Sequence, residues 1–172
     1  AVLDILVLWA LSGAYWLAAS ASWDMARHLA VPYVCAPVLY NMMCLAFWGQ
    51  TLGKRWAHIR VVTTDGEPIG PRQAALRHSV DALLAVPMSF AWVAALQAIP
   101  PGTFAATPFV QRPALVRAAC PGWQQWLVGA TYVWGLSELV VLLLNTKRRA
   151  LHDYLAGTVV VVIRPRARAG QV

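Results

Sequence analysis

Four long apolar runs dominate the chain, and each is about as long as a bilayer's hydrocarbon core is thick. The runs cover about residues 1–20, 29–48, 80–99 and 126–145. At a rise of 1.5 Å per residue, about 20 residues cross roughly 30 Å of hydrocarbon. Pro37 and Pro87 fall inside two of the runs, but membrane helices accommodate proline as a kink. The pattern predicts an all-α membrane protein, a four-transmembrane-helix bundle.

Composition also favours a membrane protein over a soluble one. Hydrophobic residues make up 59% of the 172 residues, charged residues only 12%, and the mean hydropathy is +0.55. A soluble domain carries about 25% charged residues. The net charge of +7 could indicate nucleic acid, but the basic residues flank the apolar runs and form no face interleaved with aromatic side chains. We therefore expect a lipid bilayer as the surroundings and no nucleic-acid partner.

Lysine and arginine are distributed unevenly among the connections between the runs. Eleven lie in the connection 50–78 or the tail 147–172, and three lie in the other two connections, near 21–28 and 100–125. Short loops rich in lysine and arginine stay in the cytoplasm. We therefore expect both termini to be cytoplasmic and the loops 21–28 and 100–125 to face outward.

Two stretches outside the apolar runs have the composition of β-strands. Residues 58–63 and 158–163 are rich in β-branched side chains and too short to span a bilayer as helices. We expect them to pair as a small cytoplasmic β element, because separate strands would leave backbone groups unpaired. Asp65-Gly66 predicts a tight turn, and Pro71 suits the first position of a short helix over 71–78.

The outer loop, residues 100–125, is long and has no clear periodicity beyond a short turn at 113–119. A loop of this length is uncommon without a function. Two interpretations are open. The loop contacts a partner, or it lies on the membrane surface with Phe104, Phe109 and Trp123 inserted. In the first case, the loop and a tryptophan-rich surface would serve a homo-oligomer or a larger membrane complex.

Three carboxylates fall within the apolar runs, namely Asp4, Asp81 and Glu138. Charge in hydrocarbon is costly, so these residues are the candidates for an ion, proton or ligand site. One hypothesis places Asp4 opposite Glu138, sharing a proton or small cation, because two close carboxylates resist joint ionisation. The alternative is that each is neutral or paired and supports helix packing. Asp81 follows Arg77 by four residues, so we expect those two to pair at the inner surface.

A second polar motif follows the fourth apolar run, from Lys147 to Thr158. Its basic triplet is typical of a topology signal that contacts lipid headgroups. We expect Asp153 to have a structural rather than a catalytic role, tying the tail to the first cytoplasmic connection. Its expected hydrogen-bond donors are Arg148, Arg149, Lys54 or Arg55.

The chain contains no hydrolase, nucleotide-binding or metal-binding motif. Gly53-Lys54 lacks the upstream glycine and the following serine or threonine of a phosphate loop. We therefore expect no enzymatic activity, no cofactor and no metal.

Two motifs carry a family resemblance, GQTLGKR from Gly49 to Arg55 and RALHDYLAGT from Arg149 to Thr158. Together with the spacing of Ala1 and Asp4, they resemble the RDD family of small bacterial membrane proteins, over nearly the whole chain. The family is named for one arginine and two aspartates. The resemblance implies that the aspartates are Asp4 and Asp153, that the arginine belongs upstream of residue 1, and that Glu138 is outside the named set.

The resemblance also implies a location in the bacterial inner membrane and transport of an unidentified ligand, with sodium–proton exchange in some members. Our first functional hypothesis is transport or ion exchange, with the carboxylate of the first helix as the coupling group. The second is a non-catalytic accessory or scaffold subunit, docked on a larger membrane complex through the outer loop and the tryptophan-rich surface.

Overall fold

The structure is a computed structural model that describes residues 2–146 and 149–163. This part of the chain is mostly helical, with one two-stranded sheet. In chain order the elements are α1 (Val2–Ala19), α2 (Trp23–His28), α3 (Ala30–Trp48), α4 (Leu52–Trp56), β1 (Ile59–Thr63), α5 (Pro71–Arg77), α6 (Ser79–Ala98), α7 (Pro101–Ala106), a 3-10 helix (Phe109–Gln111), α8 (Arg112–Ala118), α9 (Gln124–Leu144), α10 (Leu151–Ala156) and β2 (Thr158–Val162).

Three helical stretches of the described chain are long and apolar enough to cross a membrane. They are Trp23–Trp48, which joins α2 to α3, then α6 and α9, with 26, 20 and 21 residues. Pro37 and Pro87 lie inside α3 and α6, as predicted. The apolar helix α1 is shorter over the described residues, so the four-helix bundle remains a prediction.

The predicted β element is confirmed. β1 and β2 pair antiparallel, and the register runs from Ile59 opposite Val162 to Thr63 opposite Thr158. The turn after β1 contains Gly66 at a φ of 87°, a conformation that glycine adopts without steric cost. The strand composition of two short segments was therefore enough to identify a contact between distant parts of the chain.

Residues 49–78 and 149–163, here called the polar cap, pack against the carboxyl end of α3. Leu45 of α3 is buried with Val61, Ile69 and Ala74 in a small apolar core. Burying an aliphatic side chain of this size contributes about 1.5–3 kcal/mol. The helix over Pro71–Arg77 begins at the predicted proline and supplies Ala74 to this core.

An aromatic cluster lies at the other end of the helices. Tyr15 and Tyr33 stack with ring centroids 4.1 Å apart, and Trp16 and Trp92 lie 6.0 Å apart. Tyr33 also meets Trp92 edge to face at 5.6 Å. These four residues, here called the aromatic cluster, join α1, α3 and α6 by offset and edge-to-face contacts that aromatic pairs prefer.

Residues 100–125 are more regular than the sequence predicted. They form α7, the 3-10 helix and α8, because Pro101 and Pro113 occupy first-turn helical positions, where proline's missing amide costs nothing. Phe104 is 1% exposed and packs in the buried core beside Tyr15, with Arg112 stacked 4.8 Å from its ring. Phe104 therefore does not insert into the membrane surface, contrary to one of the two interpretations of this loop.

Gly49→Ala should destabilise the protein, because Gly49 has a φ of +64° and an added Cβ would lie 3.3 Å from the Val61 carbonyl oxygen. The left-handed conformation alone costs a non-glycine residue about 1–2 kcal/mol. Thermal unfolding in detergent should show a clear drop in Tm.

Gly13→Ala is the matched control, since an added Cβ at Gly13 would meet nothing within 4 Å and alanine is the better helix former. Its Tm should equal or exceed that of the wild type. Equal losses in the two variants would contradict the role given to Gly49.

Candidate functional site

Asp4 anchors α1 to the polar cap. Its Oδ1 accepts hydrogen bonds from Tyr40 Oη at 3.0 Å and the Gly53 amide at 2.9 Å, and its Oδ2 accepts one from Thr51 Oγ1 at 2.9 Å. Thr51 also caps α4, since its Oγ1 accepts from the Lys54 amide at 3.3 Å. The first amides of a helix lack partners within the helix, so a carboxylate is favoured beside them.

A buried ion pair joins Arg77 of α5 to Asp153 of α10, with side chains only 5% and 3% exposed. The Thr158 hydroxyl bridges the two, accepting from Arg77 Nη1 at 2.7 Å and donating to Asp153 Oδ1 at 3.0 Å. The Ala150 amide donates to Asp153 Oδ2 at 3.1 Å. Buried charges need both a partner and hydrogen bonds, and this pair has both.

Arg77 was not among the donors predicted for Asp153. The reason is packing, since α5 rather than α4 lies against α10, so Lys54 and Arg55 of α4 do not supply the partner. Arg149 donates from Nη2 to the backbone carbonyl of Asp153, at 3.2 Å, and not to its carboxylate. The fourth predicted donor, Arg148, lies outside the described residues, as does Lys147. The tail is nevertheless tied to the 50–78 connection, through Arg77.

Glu138 of α9 extends this network through His152. Glu138 Oε1 bonds to His152 Nδ1 and accepts from the His152 amide at 3.2 Å, and His152 Nε2 lies 2.7 Å from Arg77 Nη2. A guanidinium only donates hydrogen bonds. In this contact Nε2 is therefore the acceptor, which assigns the tautomer of His152 that carries its proton on Nδ1.

The described hydrogen bonds of Asp4 and of Glu138 go to different partners, and this arrangement does not support the hypothesis that the two carboxylates share a proton or cation. Asp4 accepts a hydrogen bond from an amide at the amino end of α4. Glu138 instead bonds to His152 of α10, which packs on α9. Both carboxylates instead bind the polar cap to a helix, Asp4 to α1 and Glu138 to α9.

The other basic candidates differ in their surroundings. Lys54 is half-buried, and its pKa is lowered because burial removes the amine from water and because Arg77 repels its charge. Arg55 is exposed. Arg149 donates from Nε to the Thr158 carbonyl at 3.2 Å and stacks 4.4 Å from the Tyr154 ring, so it stabilises the tail.

Asp81, at the start of α6, pairs with His78 and not with Arg77. His78 Nδ1 lies 2.9 Å from Asp81 Oδ2, and Trp134 Nε1 of α9 donates to Asp81 Oδ1 at 3.1 Å. The prediction of an Arg77–Asp81 pair is wrong because the helix is interrupted. α5 ends at Arg77 and α6 begins at Ser79, with His78 between them at φ −108° and ψ 14°. Four-residue spacing places two side chains together only within one continuous helix.

A cavity of about 350 Å³ lies between the three span-length helices. Its polar lining comes from Asn41 of α3, Thr131 of α9 and the His78–Asp81 pair, and Pro37 and Met88 line its apolar part. The Nε2 atom of His78 is buried and has no hydrogen-bond partner among the described residues. An imidazole–carboxylate pair with one free ring nitrogen can hold a proton or face a cation.

Sequence reasoning identified Asp81 but missed His78 and Trp134. The available signal was a histidine three residues before an aspartate where an apolar run begins. The contact of Trp134 with Asp81 could not be predicted from the sequence, because it joins two helices that are far apart in the chain. Within the described residues, no group of three or more histidine, cysteine, aspartate or glutamate side chains converges on one point, so the chemistry of the cavity depends on the His78–Asp81 pair.

Thr158→Val should destabilise the protein by about 1–3 kcal/mol, because valine keeps the shape of threonine but leaves Arg77 and Asp153 each one hydrogen bond short in a buried site. Thr64→Val is the control, since Thr64 is exposed, and surface substitutions stay within about 0.5 kcal/mol. Chemical unfolding in mixed micelles measures both. A Thr158→Val variant as stable as the wild type would contradict the bridging role of the hydroxyl.

Comparison with known proteins agrees with the motifs in the polar cap. The family model described as the RDD family matches residues 1–157. That match contains α1 with Asp4, all three span-length helices and α10 with Asp153. Neither a curated protein nor a solved structure matches the chain. The protein belongs to the RDD family, a family of membrane proteins.

Proposed function

We propose that this protein exchanges cations or protons across the bacterial inner membrane and has no enzymatic activity. The observation that carries the proposal is the His78–Asp81 pair in the cavity between the span-length helices. Ionisable groups at membrane depth are costly and usually mark ion paths or proton relays. Asp81 is the coupling carboxylate in this proposal.

A second cavity supports a pathway along the helices. It has a volume of about 310 Å³ and adjoins the first, sharing Pro37 and Met88 as lining residues. Ser12, Tyr33 and Trp92 also line it, so it reaches the aromatic cluster.

Pro37 adds a feature useful for cation binding between the two cavities. Proline has no amide hydrogen, so the Tyr33 carbonyl one turn earlier lacks its usual helical donor. Backbone carbonyls released in this way coordinate ions in broken membrane helices. A cation in the first cavity would meet the Asp81 carboxylate and the Asn41 side chain, which both line it.

Asp4 is better suited to anchoring than to coupling. Within the described part of the chain, Asp4 accepts three hydrogen bonds, from Tyr40, Thr51 and Gly53. Asp81 accepts two, from His78 and Trp134, and it lines the cavity between the span-length helices. An ion at Asp4 would have to displace its donors and free the amino end of α4. We therefore move the coupling role, first predicted for the carboxylate of the first helix, to Asp81.

Asp81→Asn should reduce sodium-dependent proton flux to the protein-free background, because the amide keeps the shape of the carboxylate but can neither ionise nor bind a proton. The measurement is dye-reported flux in reconstituted vesicles under a sodium gradient. Asp65→Asn is the matched control, since Asp65 is an exposed carboxylate in the turn after β1, and its flux should equal that of the wild type.

Asp4→Asn separates anchoring from coupling in the same assay. The anchoring role predicts a lower Tm with flux retained by the protein that remains folded. Full flux in Asp81→Asn, or loss of flux in Asp4→Asn at wild-type Tm, would contradict the assignment to Asp81.

We also propose that both termini and the polar cap are cytoplasmic, on the evidence of the lysine and arginine distribution. In a background with alanine at positions 35, 44 and 120, Asp65→Cys should react with an impermeant maleimide only after the membrane is permeabilised. Gln111→Cys, at an exposed position of the 100–125 segment, should react in intact cells. The reverse labelling pattern would contradict this orientation.

The exposure of α9 favours a second candidate function, that of an accessory or scaffold subunit. No residue of α9 is buried within the chain, and Trp126 and Tyr132 are 83% and 70% exposed. In a monomer, lipid would cover this exposed face of α9. In a complex, a second copy of the chain or another subunit would cover it. Purification in mild detergent tests the accessory role, which requires a stoichiometric partner and fails if a monodisperse monomer is recovered.

A further inference from the structure

We propose that the carboxyl end of α3 carries a binding site for the headgroup of an anionic glycerophospholipid. A cavity of about 310 Å³ lies there, lined by Trp48, Gln50, Thr51, Leu52, Arg55 and Arg60. It is separate from the cavities that contain the proposed ion path, with which it shares no lining residue.

The lining provides positive charge without a counter-ion. Arg55 and Arg60 are both exposed, and no carboxylate lines the cavity. In the described part of the chain, neither guanidinium lies within ion-pairing distance of an acid, in contrast to Arg77. Two guanidinium groups on one cavity match a phosphate, since each can donate two parallel hydrogen bonds to its oxygens.

The other polar side chains of the cavity already have partners. Gln50 Nε2 donates to the Ile59 carbonyl at 2.8 Å, and Thr51 Oγ1 donates to Asp4. These hydrogen bonds fix the positions of the Gln50 and Thr51 side chains in the cavity lining. The two arginines are therefore the charged donors that remain available to a ligand, and the ligand they favour is an anion.

The apolar surroundings favour a lipid over a free phosphate ion. A neighbouring cavity of about 170 Å³ shares Trp48 and Arg60 with the first, and apolar side chains such as Phe47 and Ile69 line it. Phe47, Trp48 and Leu52 are all more than half exposed and lie at the carboxyl end of a span-length helix or just after it. Aromatic side chains concentrate at the level of lipid headgroups, so this surface would contact the glycerol and upper acyl chains while the arginines bind the phosphate.

Native mass spectrometry of the full chain, titrated with phosphatidylglycerol or phosphatidylcholine, tests the site. The wild type should prefer phosphatidylglycerol. Arg55→Gln/Arg60→Gln should bind it roughly 30-fold more weakly, as expected when two basic contacts are removed. The control Arg72→Gln/Arg117→Gln loses the same charge at two exposed arginines outside the cavity, and its affinity should stay within roughly threefold of the wild type.

Thermal unfolding of each variant confirms that it is folded. If the double variant does not fold, the single variants Arg55→Gln and Arg60→Gln replace it, and each should show an intermediate loss of affinity for phosphatidylglycerol. Equal binding of the two lipids, or equal losses in the two double variants, would overturn the proposal. Addition of inorganic phosphate distinguishes the sources of the anion. If millimolar phosphate displaced bound phosphatidylglycerol as effectively as added lipid does, the site would be one for a free anion, and the assignment to a lipid would be overturned.

Discussion

The buried ion pair of Arg77 and Asp153 is the interaction on which the rest of the polar cap depends. Two charges removed from water are stable only if each is paired and hydrogen-bonded, so this pair requires α5, α10 and β2 to meet in one arrangement. That arrangement places Thr158 at the start of β2 and so supports the register of the sheet. Arg77 also directly precedes His78, where the helix is interrupted. The ion pair that fixes Arg77 therefore also fixes the start of α6 and the positions of His78 and Asp81 beside the cavity.

Asp4 and Asp153, the two aspartates singled out by the sequence resemblance, have parallel roles at the polar cap. Asp4 accepts hydrogen bonds from Tyr40, Thr51 and Gly53, and Asp153 binds Arg77, Thr158 and the Ala150 amide. In both cases a carboxylate in one segment organises backbone or side-chain donors from another. Glu138 adds a third connection, through His152. These connections hold the cap against α1 and α9, and the His78–Asp81 pair faces the cavity between the long helices.

Local patterns predicted the elements, and long-range packing decided the contacts. Apolar length identified α3, α6 and α9, β-branched runs identified β1 and β2, and Pro71 identified the start of α5, because each signal depends on neighbouring residues alone. The partner of Asp153 was missed because it depends on α5, not α4, packing against α10. The interruption at His78 was missed because no proline or glycine marks it. Beyond the short turn expected at 113–119, the helices of residues 100–125 were missed because the segment has no clear periodicity, although Pro101 and Pro113 are first-turn residues in α7 and α8.

A double-mutant cycle on Arg77 and Asp153 tests the central claim most directly. The variants are Arg77→Gln, Asp153→Asn and the two combined, with the free energy of unfolding measured in mixed micelles. Each single variant leaves one buried charge without its partner and should cost about 3–5 kcal/mol. The double variant should cost less than the sum, with a coupling energy of at least about 2 kcal/mol. Additive losses, with coupling within about 0.5 kcal/mol, would contradict the view that this pair holds the polar cap together.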